Sequence, residues 1–63
     1  MKTICIYTEK YGYMTDIKPL TKAEFYNKNL RYLFSDNAEI GEEINVYEER
    51  YTGEFYYIKA MEI

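Results

Sequence analysis

The sequence contains no histidine and no tryptophan, and it has one cysteine, one proline and three glycines among 63 residues. Without histidine, the usual zinc sites and every mechanism that uses an imidazole as acid, base or base partner are excluded. The single Cys5 cannot form an internal disulfide, and the glycines are isolated, so there is no glycine-rich phosphate loop.

Long apolar runs are also missing. No stretch approaches the roughly 18 to 20 apolar residues of a membrane-spanning helix. The first residues do not show the basic, apolar and small-residue succession of a signal peptide. We therefore expect a cytoplasmic protein with no membrane partner.

Aromatic residues, in contrast, are abundant. Nine Tyr and three Phe make up 19% of the chain, within a composition of 48% hydrophobic and 30% charged residues that is typical of a folded domain. A chain of about 60 residues buries only about 60% of the surface that its unfolded form exposes. We expect one compact domain over residues 1–63, with some tyrosines inside and others on the surface, where tyrosine is common at protein-binding hot spots.

The N-terminal third predicts a β-hairpin. Residues 3–9 are β-branched and aromatic with alternating isoleucines, which is typical of a strand with one buried face. Residues 13–18 can return antiparallel to them. A two-residue loop at 11–12 would place Ile6 opposite Ile17.

The middle of the chain predicts a helix. Thr21 and Glu24 have the spacing of a capping box, in which each side chain accepts a hydrogen bond from the other's backbone N–H. The helix is expected over residues 22–35, ending at 36–37. Apolar residues then recur at the spacing of one helical face, at Ala23, Tyr26, Leu30, Leu33 and Phe34.

The C-terminal third predicts a second hairpin. A three-residue loop at 51–53, with Gly53 at the bulge position, pairs Val46 with Ile58 and Ile44 with Ala60. This register collects those four residues on the core face. The opposite face then carries Glu43, Asn45, Tyr47, Glu49, Tyr57 and Lys59.

The expected fold class is α+β: a ββαββ antiparallel sheet with one helix packed on one face. The other face would be largely uncovered, and a large exposed apolar patch usually marks a dimer interface or a partner surface. The side chains expected there are Cys5, Tyr7, Tyr47, Phe55, Tyr57 and Met61.

Charge is distributed unevenly within a net charge of −3. Residues 1–35 hold six basic and three acidic side chains, whereas residues 36–63 hold two basic and eight acidic ones. Glutamates on a hairpin can serve only solubility and edge protection. Closely spaced carboxylates can also present a phosphate-like pattern to a basic surface.

The sequence does not support a catalytic site or a metal site. The pairs 42–43 and 48–49 consist of adjacent glutamates, and adjacent residues on a strand point to opposite faces. Cys5 has no histidine to activate it. We therefore expect no enzyme, no cofactor and no metal. Nucleic-acid binding would need a cluster of basic residues, and this chain offers only a poor one: Lys22, Lys28 and Arg31, interrupted by Glu24.

Protein binding is therefore the expected activity. Tyrosines interleaved with glutamates combine rigid aromatic area with negative charge, which suits a basic, nucleic-acid-binding groove on another protein. The mechanism would be competitive occlusion of that groove. The residues expected to contact the partner are Glu43, Tyr47, Glu48, Glu49, Tyr51, Glu54 and Tyr57.

The whole chain, being short, acidic and rich in Tyr, Ile, Lys and Asn, resembles the small inhibitors with which phages and mobile elements block host defence. These are the anti-CRISPR and anti-restriction proteins. The resemblance implies stoichiometric inhibition of an RNA-guided or restriction nuclease in the bacterial cytoplasm, without a cofactor. Two alternatives stay open: a homodimeric accessory protein, and a nucleic-acid-binding module that uses the helix and the N-terminal lysines.

Overall fold

The structure, a computed structural model, describes residues 3–37 and 41–63 and consists mostly of strands. Five strands form one curled, mixed sheet in the order β1-β2-β5-β4-β3. The elements are β1 (Ile4–Thr8), β2 (Gly12–Pro19), α1 (Lys22–Asn27), β3 (Leu30–Asp36), β4 (Ile44–Glu49), β5 (Phe55–Lys59) and a 3₁₀ turn (Ala60–Glu62). The order is thus ββαβββ instead of the predicted ββαββ.

The first hairpin forms as predicted, but in a different register. Ile6 faces Met14, and Ile17 faces Ile4 instead of Ile6. Between these two pairs β2 contains one residue more than β1, which is a β-bulge, and Asp16 within it has a φ of 56°. The bulge allows Met14 and Ile17, three positions apart, both to point into the core. The loop differs as well: Thr8 faces Gly12, so three residues, 9–11, form it instead of the predicted 11–12, and the loop and the bulge together set the register.

The helix begins as predicted and ends early. The capping box is confirmed: Glu24 N donates to Thr21 Oγ1 over 3.1 Å, and Thr21 N donates to Glu24 Oε1 over 3.0 Å. Lys28 is already extended, with ψ at 153°, and α1 has six residues. No helix in the described ranges is long and apolar enough to cross a membrane.

Leu30–Asp36, which the apolar spacing assigned to the helix, forms strand β3 along the edge of β4. A bulge between Tyr32 and Phe34 lets Leu33 and Phe34 both pack against the core, although they are adjacent in sequence. The helical prediction for this segment was wrong because, as a strand beside β4, it packs Leu30 on one buried cluster and Leu33 and Phe34 on the other, which outweighs a weak local preference.

The second hairpin also differs in register. Glu49 and Glu54 pair across a four-residue loop, since Glu49 N donates to Glu54 O and Gly53 N donates to Glu49 O, both over 2.8 Å. Val46 consequently faces Tyr57, and Ile58 faces Asn45. The predicted pairs Val46–Ile58 and Ile44–Ala60 were wrong, and half-buried Ala60 lies in the 3₁₀ turn beyond β5.

This register gives β4 and β5 two buried faces. The inner face joins the β1–β2 hairpin in a cluster of Ile4, Ile6, Met14, Ile17, Ile44, Val46 and Tyr57. The outer face packs under Leu20 and the α1 side chain Phe25 in a second cluster with Tyr47, Tyr56 and Ile58. The expectation that one face of the C-terminal hairpin stays uncovered was therefore wrong.

Two contacts hold the curled sheet together. β2 runs parallel to β5 for only two residue pairs, continued by a hydrogen bond of 2.9 Å from Leu20 N to Tyr57 O. In addition, the Tyr11 ring in the β1–β2 turn stacks on Phe34 of β3 at a centroid distance of 5.7 Å. The two ends of the sheet thus approach each other across the inner cluster.

The bulge predicts how substitutions at Asp16 behave. A β-branched residue at positive φ is strained, so Asp16→Val should lower the free energy of unfolding by about 1–2 kcal/mol. Asp16→Asn, which tolerates this backbone conformation, should stay within about 0.5 kcal/mol of the wild type. Urea unfolding measures both, and equal stability of the Val and Asn variants would contradict the left-handed assignment.

Candidate protein-binding surface

Tyr47 and Tyr57, two of the expected contact residues, are buried, with 8% and 6% of their surface exposed. Tyr47 meets Phe25 edge to face at 5.3 Å, and Tyr57 belongs to the inner cluster. Their expected position on an open face was wrong because the true register turns Tyr57 and Tyr47 to opposite, covered faces. They contribute to the core.

Glu43 is exposed and lies just before β4. Its backbone carbonyl accepts a hydrogen bond of 3.0 Å from Ala60 N. Five residues further along, Glu48 is about 16 Å away by the rise of a strand. Glu43 therefore lies at the far end of the hairpin from the other expected carboxylates.

The remaining four residues do come together, around the loop at 50–53, and we name Glu48, Glu49, Tyr51 and Glu54 the hairpin tip. Hydrogen bonds within the loop hold it. Glu49 Oε1 accepts from Tyr51 N over 2.6 Å and from Thr52 N over 3.3 Å, while Thr52 Oγ1 accepts from Glu54 N over 3.2 Å. Tyr51 projects from this ordered loop with 84% of its surface exposed.

The carboxylates of the hairpin tip have partners inside the protein. Glu48 pairs with Arg31 over 2.7 Å, and Glu54 pairs with Lys18 over 3.5 Å. With Arg50 in the loop, three basic side chains beside the tip offset its three carboxylates. These six side chains together carry no net charge, so the net charge of −3 arises from the other residues.

Tyr56 connects the tip to the outer cluster. Its hydroxyl donates to Glu54 Oε1 over 2.9 Å, and this hydrogen bond, with the charge of Lys18, lowers the pKa of the Glu54 carboxyl. Burial, followed by the bond to Glu54, raises the pKa of Tyr56. The ammonium groups of Lys18 and Lys28 lie 5.8 and 5.1 Å from the centre of the Tyr56 ring, within cation–π range.

Further tyrosines are exposed outside the hairpin tip. Tyr7 was expected on the open face and is exposed. Tyr13, which the sequence analysis did not single out, faces Tyr7 across the first hairpin, and each exposes 69% of its surface. The alternation of Tyr13 with buried Met14 could have identified it. Tyr26 and Tyr32 are also exposed, but the long helix assumed for this segment placed Tyr26 on the buried face.

Within residues 3–37 and 41–63, no group of three or more acidic or cysteine side chains is arranged to hold a metal ion. Comparisons with protein-family models, curated proteins and solved structures find no match to this chain. Likeness to other proteins therefore supplies no function, and a proposal has to rest on the surface itself.

The burial of the two tyrosines gives a stability prediction. Truncating a large aromatic core side chain costs about 3–5 kcal/mol, and a domain of this size has a total stability of that order. The double variant Tyr47→Ala/Tyr57→Ala should therefore be unfolded by circular dichroism. Tyr51→Ala, the matched exposed tyrosine, should unfold within about 0.5 kcal/mol of the wild type; a folded double variant would contradict the observed register.

Glu54 gives a pH prediction. Because its pKa is lowered in the folded state, the stabilisation is present above the ordinary value of 4.5 and is lost as pH falls through the lowered value. The melting-temperature difference between wild type and Glu54→Gln should accordingly shrink in acid. The same comparison can be made in a Tyr56→Phe background, which keeps the ring and removes the hydroxyl donor. There the melting-temperature difference caused by Glu54→Gln should be smaller at neutral pH. A difference independent of pH would exclude the contribution of the carboxylate charge.

Proposed function

We propose that this protein is a non-catalytic protein-binding module that inhibits a bacterial nuclease stoichiometrically, in the manner of anti-CRISPR or anti-restriction proteins. It covers a basic nucleic-acid-binding groove of the nuclease in the bacterial cytoplasm and needs no cofactor. The observation that carries the proposal is Tyr51, an exposed aromatic side chain on an ordered loop between carboxylates.

The order of the loop favours binding. An interface loses affinity when loops and side chains have to be immobilised, and the backbone of 51–54 is already fixed by its hydrogen bonds to Glu49 and Thr52. Tyrosine is among the residues that dominate binding energy when they enter a pocket on a partner. Tyr51 can therefore act as the anchor, a role that buried Tyr47 and Tyr57 cannot fill.

The charges support a basic partner in two ways. The net charge of −3 attracts a positive groove at long range and raises the association rate. At short range the ion pairs Arg31–Glu48 and Lys18–Glu54 are partly exposed. Exposed pairs contribute only about 0–1 kcal/mol, so arginines of a partner can replace Arg31 and Lys18 at small cost.

The proposal predicts the behaviour of Tyr51→Ala. Immobilised wild-type protein should capture a single nuclease from bacterial lysate. Purified protein should stop nucleic-acid cleavage by that nuclease at one inhibitor molecule per nuclease molecule. Tyr51→Ala should weaken both by at least about 30-fold, the loss expected for a hot spot of 2 kcal/mol or more.

Tyr13→Ala is the matched control, since Tyr13 is also an exposed tyrosine but lies on the first hairpin, five positions before Lys18, the residue that pairs with Glu54. This variant should capture and inhibit as the wild type does. Capture without inhibition would disprove occlusion of the groove. If both variants lose nuclease binding equally, or if Tyr51→Ala does not affect capture, the hairpin tip is not the binding site.

A further inference from the structure

The two edges of the sheet differ in their protection against pairing with another strand. β3, at one edge, contains a bulge and the charged residues Arg31 and Asp36, features that discourage edge-to-edge association. β1, at the other edge, reads Ile-Cys-Ile-Tyr-Thr and has no charge and no proline. The extra residue of the first hairpin lies in β2, so β1 itself is regular.

β1 is bonded to β2 alone among the strands of the described part of the chain. Its outer edge therefore carries backbone groups that a further strand can pair with. The side chains beside this edge on the outer surface are Cys5 and Tyr7, both exposed. An uncharged, regular edge of five residues is a template for strand addition.

The strand is also its own complement. An antiparallel pair of two β1 strands about a two-fold axis at Ile6 places Ile4 opposite Thr8 and Cys5 opposite Tyr7 of the second copy. Because β1 has no charged residue, no like charges meet within the pair, and Glu9, the first charge after the strand, falls opposite Thr3. The aromatic Tyr7 side chains then lie over the partner's β1 on the outer surface.

We propose that the β1 edge is a homodimer interface in which two copies of the chain join their sheets through antiparallel β1–β1 pairing centred on Ile6. This continues each five-stranded sheet into its copy. β2 separates β1 from β5, so the interface leaves the hairpin tip open and does not depend on the function proposed for it.

The test is sedimentation equilibrium of the wild type under reducing conditions, over a wide range of concentration, compared with two charge variants. Cys5→Glu/Tyr7→Glu puts two like-charged pairs across the interface and should raise the dimer dissociation constant by about tenfold or more. Cys5→Lys/Tyr7→Glu puts opposite charges in the same cross-strand positions. It should restore dissociation to within about threefold of the wild type.

A control separates edge pairing from stacking of the outer faces. Tyr13→Glu/Thr15→Glu adds the same charge as the first variant to the same exposed face, one strand further in. It should leave the dimer intact, and circular dichroism should show that every variant folds. The proposal would be overturned if the wild type is a monomer or associates without limit. It would also be overturned if the control loses as much dimer affinity as the first variant, or if the opposite charges do not restore that affinity.

Discussion

The pairing of Glu49 with Glu54 across the loop at 50–53 is the constraint on which the rest of the molecule depends. It sets the register of β4 against β5, and each residue of those strands is assigned to a face by that register. The side chain of Glu49 contributes directly, because its carboxylate binds the backbone N–H groups that form the turn. A shift by one position would exchange the side chains that one strand contributes to the inner and outer clusters.

Some of the fold followed from local chemistry in the sequence. The capping box of Thr21 and Glu24 and the alternation of Ile4 and Ile6 were read correctly, because a cap and a half-buried strand each leave their signal within a few residues. Hairpin registers were not, since the bulge at Asp16 is fixed by packing between segments, and residue types alone did not distinguish a four-residue loop at 50–53 from the predicted three-residue loop at 51–53.

β3 shows why the candidate site was only partly predictable. Its apolar residues satisfy a helical spacing, yet as a strand with a bulge they reach both clusters, Leu30 the outer one and Phe34 the inner one. Covering both faces of β4 and β5 in this way buries Tyr47 and Tyr57, which sequence reasoning placed outside. The tip residues Tyr51 and Glu54 were identified correctly as exposed because turns of this composition lie at the surface whatever the register.

The chain uses tyrosine where a larger protein would use aliphatic residues, and this joins its core to its surface. A buried tyrosine has to bring its hydroxyl to a polar partner, and Tyr56 does so at Glu54 while Tyr47 accepts from Asn45 Nδ2 over 3.4 Å. The carboxylate at the tip is thus ordered by a core residue. It follows that the charge of Glu54 and the stability of the fold are not independent, whereas Tyr51, which packs in neither cluster, can be substituted without cost to the fold.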